Sequence, residues 1–508
     1  MQSQLKAGAI LNYVIIGLNS IVGLLYTPYM LHKLGQSEYG LYSLVASVIS
    51  YLTILDLGFG NATVRYTAKY RAEGKQKEQY ELFGMLLLFY IAISIVAMLL
   101  GTWLYFNVDS LFNETMTGTE LEKARIMILI LVLNLTFTFP MSIFGSIITA
   151  YEQFVFPKVV NIACILLNTI VMIVLLHYGY RAIAMVVVQT FFNFFSLISQ
   201  YFYCKYKIKI KILFGKVKLF FLWEICVYSF WIFLEVIINR VYWSTGQFVL
   251  AAVSGTIAVA IFAVAIQLHN MYMQFSTAIS SVFLPKVTTM VATNSDNREI
   301  SDLFICTGRI QNIIMGLVLF GFIVFGKQFI ILWAGSEYED SYVITLLFFI
   351  ALYVPLIQNL GISILQARNQ MKFRSLLYVA IAVVALILQI IFAKLWGAVG
   401  CAVAIAGALF LGQGIIMNIY YQKEQHIDIL LFWREILKMD TGPILLSLLF
   451  VYVINSLTVN SWWSLTFYGG IFFILYSLVM YKFSMNQSEK DLIIGFMKTV
   501  KKSDNSKV

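Results

Sequence analysis

Glu224, Tyr228, Trp231, Glu235, Asn239 and Tyr242 recur at intervals of three and four residues, which sets them along one face of a helix. Gln267, Asn270, Gln274, Thr277 and Ser281 repeat the pattern, with His269 and Ser280 beside them. Ser50, Thr53 and Gly60, flanked by Asp56, form a third stripe, and Asn12, Asn19, Tyr26 and Lys33 recur every seven residues. Each stripe lies in a strongly apolar stretch, where an ionisable group costs about 2.5–3.5 kcal/mol to insert. One use of such stripes is to line a hydrated cleft through which a polar solute crosses hydrocarbon. The other is hydrogen bonding between helices, which draws on the same residue types. Asn12, Asn19, Lys33, Arg65, Gln267, Asn270 and Gln274 are the expected cleft residues, and Asp56, Glu235 and His269 the expected ion-coupling groups. Arg65 and Arg240 sit near span ends, where an anchoring role at the membrane surface is the competing reading.

The sequence offers no catalytic constellation. It has no nucleotide-binding glycine loop, no zinc spacing and no serine or cysteine nucleophile motif, so neither enzyme chemistry nor a cofactor is expected. Cys164, Cys204, Cys226, Cys306 and Cys401 fall in or beside apolar segments and read as small core residues.

The elements that carry the stripes are transmembrane helices. Of 508 residues, 60% are hydrophobic and 12% charged, and the mean hydropathy is +0.84. The apolar residues come in blocks long enough to cross about 30 Å of hydrocarbon. Spans are expected at 9–30, 40–63, 82–106, 126–150, 157–177, 182–204, 219–242, 254–284, 303–326, 342–366, 375–395, 397–421, 441–457 and 462–481. The short turns near Gly179 and Trp396 are the weakest of these breaks, and merging both pairs would give twelve spans. The first span is too long for a signal-peptide core and no small-residue cleavage site follows it, so it is expected to be retained. With a cytoplasmic N-terminus and fourteen crossings, about 28 of the 35 Lys and Arg residues fall on the cytoplasmic side. The net charge of +10 is therefore a topology signal dispersed between spans, and nucleic acid is not an expected partner.

A repeat is also visible. ITAYEQFVFPK from Ile148 is similar to ILQARNQMKFRS from Ile364, and 37–69 lies over 254–286 at a shift of 217. Pro140 and Pro355 each interrupt the fourth helix of their half and are expected to kink it. The expected fold is an all-α membrane protein of about fourteen transmembrane helices, with two pseudo-symmetric six-helix lobes and two C-terminal helices. The lobes are 1–204 and 219–425, joined by a basic cytoplasmic linker at 205–218, and helices 13 and 14 occupy 426–484. The tail, 485–508, has a capping-box spacing at Ser488 and Asp491 and an apolar stripe of Leu492, Ile493, Phe496 and Val500 beside lysines, which suits a short helix on an anionic leaflet. Two similar lobes would face each other across a central cleft.

The run P-x-x-L-x-x-L-G-x-x-E-Y-G-L-Y from Pro28 to Tyr42, followed by LDLGFGNATVRY from Leu55 to Tyr66, resembles the start of bacterial polysaccharide, or O-antigen, flippases of the multidrug/oligosaccharidyl-lipid/polysaccharide exporter superfamily. YWSTGQFVLAAVSGTIAVAIFAVA from Tyr242 and STAISSVFLPKVT from Ser276 resemble the matching region of the second lobe. The resemblance implies a flippase that carries an undecaprenyl-diphosphate-linked oligosaccharide across the bacterial cytoplasmic membrane for surface polysaccharide such as O-antigen or capsule. It would work by alternating access, with both termini cytoplasmic, and a proton or sodium gradient and polysaccharide polymerase machinery are the implied energy source and partner. Relatives carry Asp where this chain has Gly246, and related peptidoglycan-precursor flippases place arginines in the cleft, whereas here Lys33 and Arg65 remain for the diphosphate. The competing expectations are an ion-coupled multidrug exporter of the same superfamily and a membrane polysaccharide polymerase or ligase. The last would need a large outer loop, and the longest here runs from Asn107 to Arg125.

Overall fold

The computed structural model describes residues 2–56, 59–215, 233–234, 236–293, 296–368, 370–456, 459–487 and 489–491. Among these there are fourteen α-helices and no strand. In chain order they are α1 Gln2–Leu52, α2 Phe59–Ala72, α3 Gln76–Phe112, α4 Gly118–Ala150, α5 Val155–His177, α6 Ala182–Phe202 and α7 Thr245–Ala292. They continue with α8 Asn297–Trp333, α9 Ser341–Ile357, α10 Leu360–Ala367, α11 Met371–Leu409, α12 Met417–Lys423, α13 Ile429–Ser456 and α14 Trp462–Val479.

Helices and crossings are not the same set. The 51 residues of α1 would reach about 77 Å if straight, more than twice the hydrocarbon thickness. The chain instead turns at Gly35, whose φ of 75° and ψ of 171° no helix contains. Gly255 does the same in α7 with φ 79° and ψ −175°, and Trp396 with Gly397 does so in α11. Both Gly35 and Gly255 occupy the positive-φ region that side chains with a β-carbon avoid. Ten helical stretches are long and apolar enough to cross a membrane, and α9 with α10, bent by 45°, makes eleven. Counting the three glycine-turned stretches twice gives the fourteen crossings expected from hydropathy. The side chains between them fit that reading, since Leu25, Phe106, Tyr452, Trp463 and Phe483 are all more than two-thirds exposed, as a lipid-facing surface requires.

The two prolines act differently. Pro140 lies inside an unbroken α4 of 33 residues, whereas the helix of Pro355 ends two residues later at Ile357. Polar side chains stabilise that second break. Gln358 donates to Asn418 Oδ1 at 2.8 Å, and Asn359 donates to the buried Ser276 and Ser280 hydroxyls at 3.2 and 3.0 Å. A further break was unforeseen: the stretch expected at 40–63 is interrupted after Leu52 by a 3₁₀ turn over Thr53–Asp56.

Contacts divide the chain into two compact units, Met1–Val264 with Ala382–Cys401, and Ala265–Ile381 with Ala402–Val508. The lobes expected from the repeat follow sequence similarity, while these units follow packing, and the division runs through α7 and α11. In the first unit α4 is central, packed on α2, α3 and α6. Its contact with α6 is partly polar: Asn193 donates to Asn134 Oδ1 at 2.6 Å and to Thr138 Oγ1 at 2.8 Å, and Asn134 donates to Thr190 at 3.3 Å.

In the second unit α13 and α14, which lie outside the repeat, pack on α8 through Phe325, Phe450 and Phe472 with ring centroids 5.2–6.4 Å apart. Below that layer Arg309 of α8 is 5% exposed and Glu489 2%. Arg309 donates through Nε and Nη2 to the two oxygens of Glu489 at 2.6 and 3.0 Å, and through Nη1 to Glu435 at 2.9 Å. Glu489 also accepts from the Asn486 backbone at 2.9 Å while Asn486 Oδ1 accepts from the Glu489 backbone at 2.9 Å. The described part of the tail thus carries a capping box at Asn486–Glu489. Ser488 and 492–508, with the expected amphipathic stripe, lie outside the described residues. Removing one partner of a buried pair leaves an uncompensated charge worth about 3–5 kcal/mol. Arg309→Met is therefore expected to lower unfolding stability by about that amount in detergent, whereas the double change Arg309→Met, Glu489→Leu recovers most of the loss.

Candidate functional site

The 3₁₀ turn at Thr53–Asp56 opens beside a cavity of about 430 Å³ in the first unit, within the usual range of about 300–1,000 Å³ for small-molecule sites. Its polar wall is Thr53, Asp56, Asn61, Thr138, Ser142 and Arg240, and its apolar wall includes Leu135, Phe139 and Phe233. Local sequence explains the arrangement. Leu135, Thr138, Phe139 and Ser142 share one face of α4, around Pro140, whose missing N–H leaves the carbonyl of Thr136 without its intrahelical donor. The turn at Thr53–Asp56 likewise gives up regular helical bonds, and Ser50 and Thr53 hydroxyls fold back onto the carbonyls of Ser47 and Ser50, both at 2.6 Å.

Arg240 is fixed toward this cavity. Its Nη2 donates to Thr53 Oγ1 at 3.2 Å, and on either side Ser50 donates to Ser244 at 2.9 Å while Tyr51 and Thr245 share a hydroxyl contact. Outside the cavity lining, the fully buried Tyr90 of α3 lies within electrostatic reach of Asp56, with Ser142 beside it. One cavity inside membrane-spanning helices therefore holds a guanidinium, a carboxylate and four neutral hydrogen-bonding side chains. Its chemistry suits a solute with both anionic and hydroxyl groups.

The sequence-expected residues separate accordingly. Asp56 lines the cavity, as does Arg240, for which anchoring was the competing reading. Lys33 and Arg65 are exposed, stand 5.9 and 5.8 Å from the Tyr29 and Tyr66 rings, and are not among its walls. Asn12 accepts from Lys158 of α5 at 2.7 Å, and Asn19 is exposed. Gln267 and Gln274 are half-buried and Asn270 exposed. His269 is 1% exposed and meets Phe348 edge-on at 6.0 Å, inside the second unit. Glu235 lies outside the described residues. Thr138, Ser142 and Asn61 went unselected, although the 135–138–139–142 spacing was legible.

The P-x-x-L-x-x-L-G-x-x-E-Y-G-L-Y run has a different task, at one end of this unit. A β-carbon on Gly40 would stand 1.9 Å from the carbonyl oxygen of Thr256, so glycine lets the backbones of α1 and α7 touch just past the turns at Gly35 and Gly255. Those two turning points are 220 residues apart, three more than the shift that best aligns the flanking segments. Glu38, 6% exposed, pairs with Lys123 and lies 3.9 Å from Arg181. Glu120, at the start of α4, accepts from Ser37 at 2.5 Å, from Thr256 at 2.9 Å, and from the Thr117 amide and hydroxyl at 2.9 and 2.8 Å. Gly246 is enclosed: a β-carbon there would lie 2.8 Å from the Phe262 ring and 3.2 Å from Cys401 Sγ.

Burial pushes the Glu120 carboxyl up, but the hydroxyl and amide donors from Ser37, Thr117 and Thr256 outweigh it and hold it below the ordinary value. A depressed carboxyl stabilises the fold above its unfolded value of about 4.3, and that contribution disappears as pH falls through the folded value. The melting temperature in detergent is expected to drop in acid more steeply for the wild type than for Glu120→Gln; parallel curves would contradict this role.

Comparison with known proteins agrees with the fold. The chain superposes on a solved structure of the lipid II flippase MurJ in an inward closed conformation, with a TM-score of 0.70 and 17% identity over 96% of this chain and 99% of that one. An inward-facing multidrug resistance MATE family transporter of the MOP superfamily gives 0.56 at 13% identity, over 82% of this chain and 96% of that one. The Vibrio cholerae MATE transporter VcmN in its bent form gives 0.53 at 14%, over 85% and 99%. These neighbours are transporters, not enzymes, and at such identities they establish the fold. No curated protein sequence matches the chain. The model of the family described as "polysaccharide biosynthesis protein" matches residues 5–291, more than half the length. On that match the chain, a multi-pass membrane protein, belongs to the polysaccharide biosynthesis protein family.

Proposed function

We propose that this protein is a flippase for a lipid-linked oligosaccharide, moving an undecaprenyl-diphosphate-linked repeat unit across the bacterial cytoplasmic membrane for surface polysaccharide such as O-antigen or capsule. The observation that carries the reading is the cavity at the broken second span, where Arg240 sits among hydroxyl and amide side chains. The guanidinium supplies charge-assisted bonds to a phosphate, and Asp56, Asn61, Thr138 and Ser142 match the hydroxyls of a sugar. The polyprenyl chain stays in lipid, where the exposed leucines and aromatics of the outer surface are equivalent to it. The cavity alternates between the two membrane faces, both termini are cytoplasmic by the distribution of Lys and Arg, and the end tied by Gly40, Thr256 and Glu120 is the outer one. A proton or sodium gradient drives the cycle through Asp56, and the product is handed to polymerase machinery.

The likeness to MATE transporters, with a carboxylate in the cavity, favours a second reading, export of organic cations. Arg240 beside Asp56 argues against it, because a fixed guanidinium repels such a substrate. Reconstitution in vesicles separates the two. Hydrogen bonds to charged groups are worth about 1.5–3 kcal/mol, so Arg240→Ala is expected to slow flipping of a diphosphate-linked oligosaccharide by about 10- to 100-fold. Unchanged lipid flipping in that variant, or efflux of a cationic dye that improves with it, would overturn the proposal.

A further inference from the structure

Asp440 interrupts the apolar sequence of α13, and it is 5% exposed. Asn312 of α8, fully buried, donates through Nδ2 to Asp440 Oδ1 at 2.7 Å. Tyr353 of α9 places its hydroxyl 2.7 Å from Asp440 Oδ2 and in contact with Asn312 Oδ1. Three side chains from three helices therefore close a ring of three polar contacts. The other titratable groups facing it are the hydroxyls of Tyr272 on α7 and Tyr476 on α14, which donate to the carbonyls of Met315 and Ile313 at 3.1 and 3.2 Å. Arg309, one turn away on α8, is taken up by Glu489 and Glu435, and Lys438 on α13 pairs with Glu435. Among the described residues no Lys, Arg or His forms an ion pair with Asp440.

Counting hydrogens decides the state of the ring. A carboxylate brings none, the tyrosine one, and the amide only one that points into the ring. Two hydrogens cannot bridge three contacts. Exchanging the oxygen and nitrogen of Asn312 moves the deficit without curing it, because the amide oxygen then faces the carboxylate. One further hydrogen on the carboxyl closes the ring in both orientations. In the first, the carboxyl donates to Tyr353, Tyr353 to the Asn312 oxygen, and the Asn312 amide to the carboxyl. An unbridged oxygen pair at hydrogen-bond distance is costly where two of the three side chains, Asp440 and Asn312, are buried.

We propose that Asp440 is a proton-binding site, held as the neutral acid by Asn312 and Tyr353 and joining α8, α9 and α13 through the proton it carries. Losing the proton opens one contact of the three, so the packing of α13 on α8 and α9 responds to proton binding. This site stands apart from the cavity of the first unit and does not require the flippase reading.

Infrared difference spectroscopy of the full-length protein at neutral pH tests it. The wild type should show a protonated-carboxyl carbonyl band that shifts in D2O, is lost in Asp440→Asn, and moves in Tyr353→Phe, which keeps the carboxyl but removes one partner. In Asp440→Asn the amide hydrogen closes the same ring without titrating. That variant should therefore melt close to the wild type at neutral pH and keep its melting temperature at alkaline pH, where the wild type falls. A carboxyl band that persists in Asp440→Asn, or one unmoved in Tyr353→Phe, would overturn the assignment, as would alkaline melting curves that stay parallel.

Discussion

Hydrocarbon offers no hydrogen bonds, and each polar group placed in it without a partner costs several kcal/mol. That constraint decides most of what this chain does. Among the described residues it makes the crossings helical, and it demands a polar neighbour wherever a helix breaks inside the membrane; Gly35, Gly255 and Gly397 turn the chain within three of the long helices. The breaks are therefore the informative places. At Gln358 and Asn359 the neighbours are Asn418, Ser276 and Ser280, and the break is sealed by side chains. At Thr53–Asp56 the neighbours are Arg240, Asn61, Thr138 and Ser142, and between them lies open space.

The same constraint separates two kinds of buried charge. Arg309 and Glu489 cancel each other through two hydrogen bonds and tie the segment after α14 to α8, which makes the helices outside the repeat part of the second unit. Among the described residues Asp440 has the neutral partners Asn312 and Tyr353, and the proposed balance is a proton. In the first unit Arg240 and Asp56 border a cavity, where charge can be solvated or met by a ligand. Only this last arrangement suits transient occupancy by an anionic, hydroxyl-rich head group.

How far the sequence foretold this depends on the signal. Hydropathy found the fourteen crossings because each needs about twenty apolar residues, and the turn positions near Gly179 and Trp396 were legible from glycine and charge. The run from Pro28 to Tyr42 was recognisable, but its task was not, since the contact of Gly40 with Thr256 joins residues far apart in the chain. The stripes gave direction of a helical face without its neighbour. The neighbours themselves, Lys158 at Asn12 and Phe348 at His269, were therefore not legible in the sequence. Asp56 was singled out because a carboxylate in lipid always needs a reason, and it lines the cavity. Thr138 and Ser142 were missed because hydroxyls in a helix can bond their own backbone and carry little information alone.

The proposed function requires the space beside Thr53–Asp56 to be a wet binding site within the bilayer. A single cysteine at Ser142→Cys, in a chain stripped of its other five, tests it most directly in vesicles. Modification by a small membrane-impermeant thiol reagent, slowed by a diphosphate-linked oligosaccharide and not by the free sugar, is the result expected here. A thiol that stays inert on both sides of the membrane, or one that reacts equally with and without the lipid-linked glycan, would contradict it.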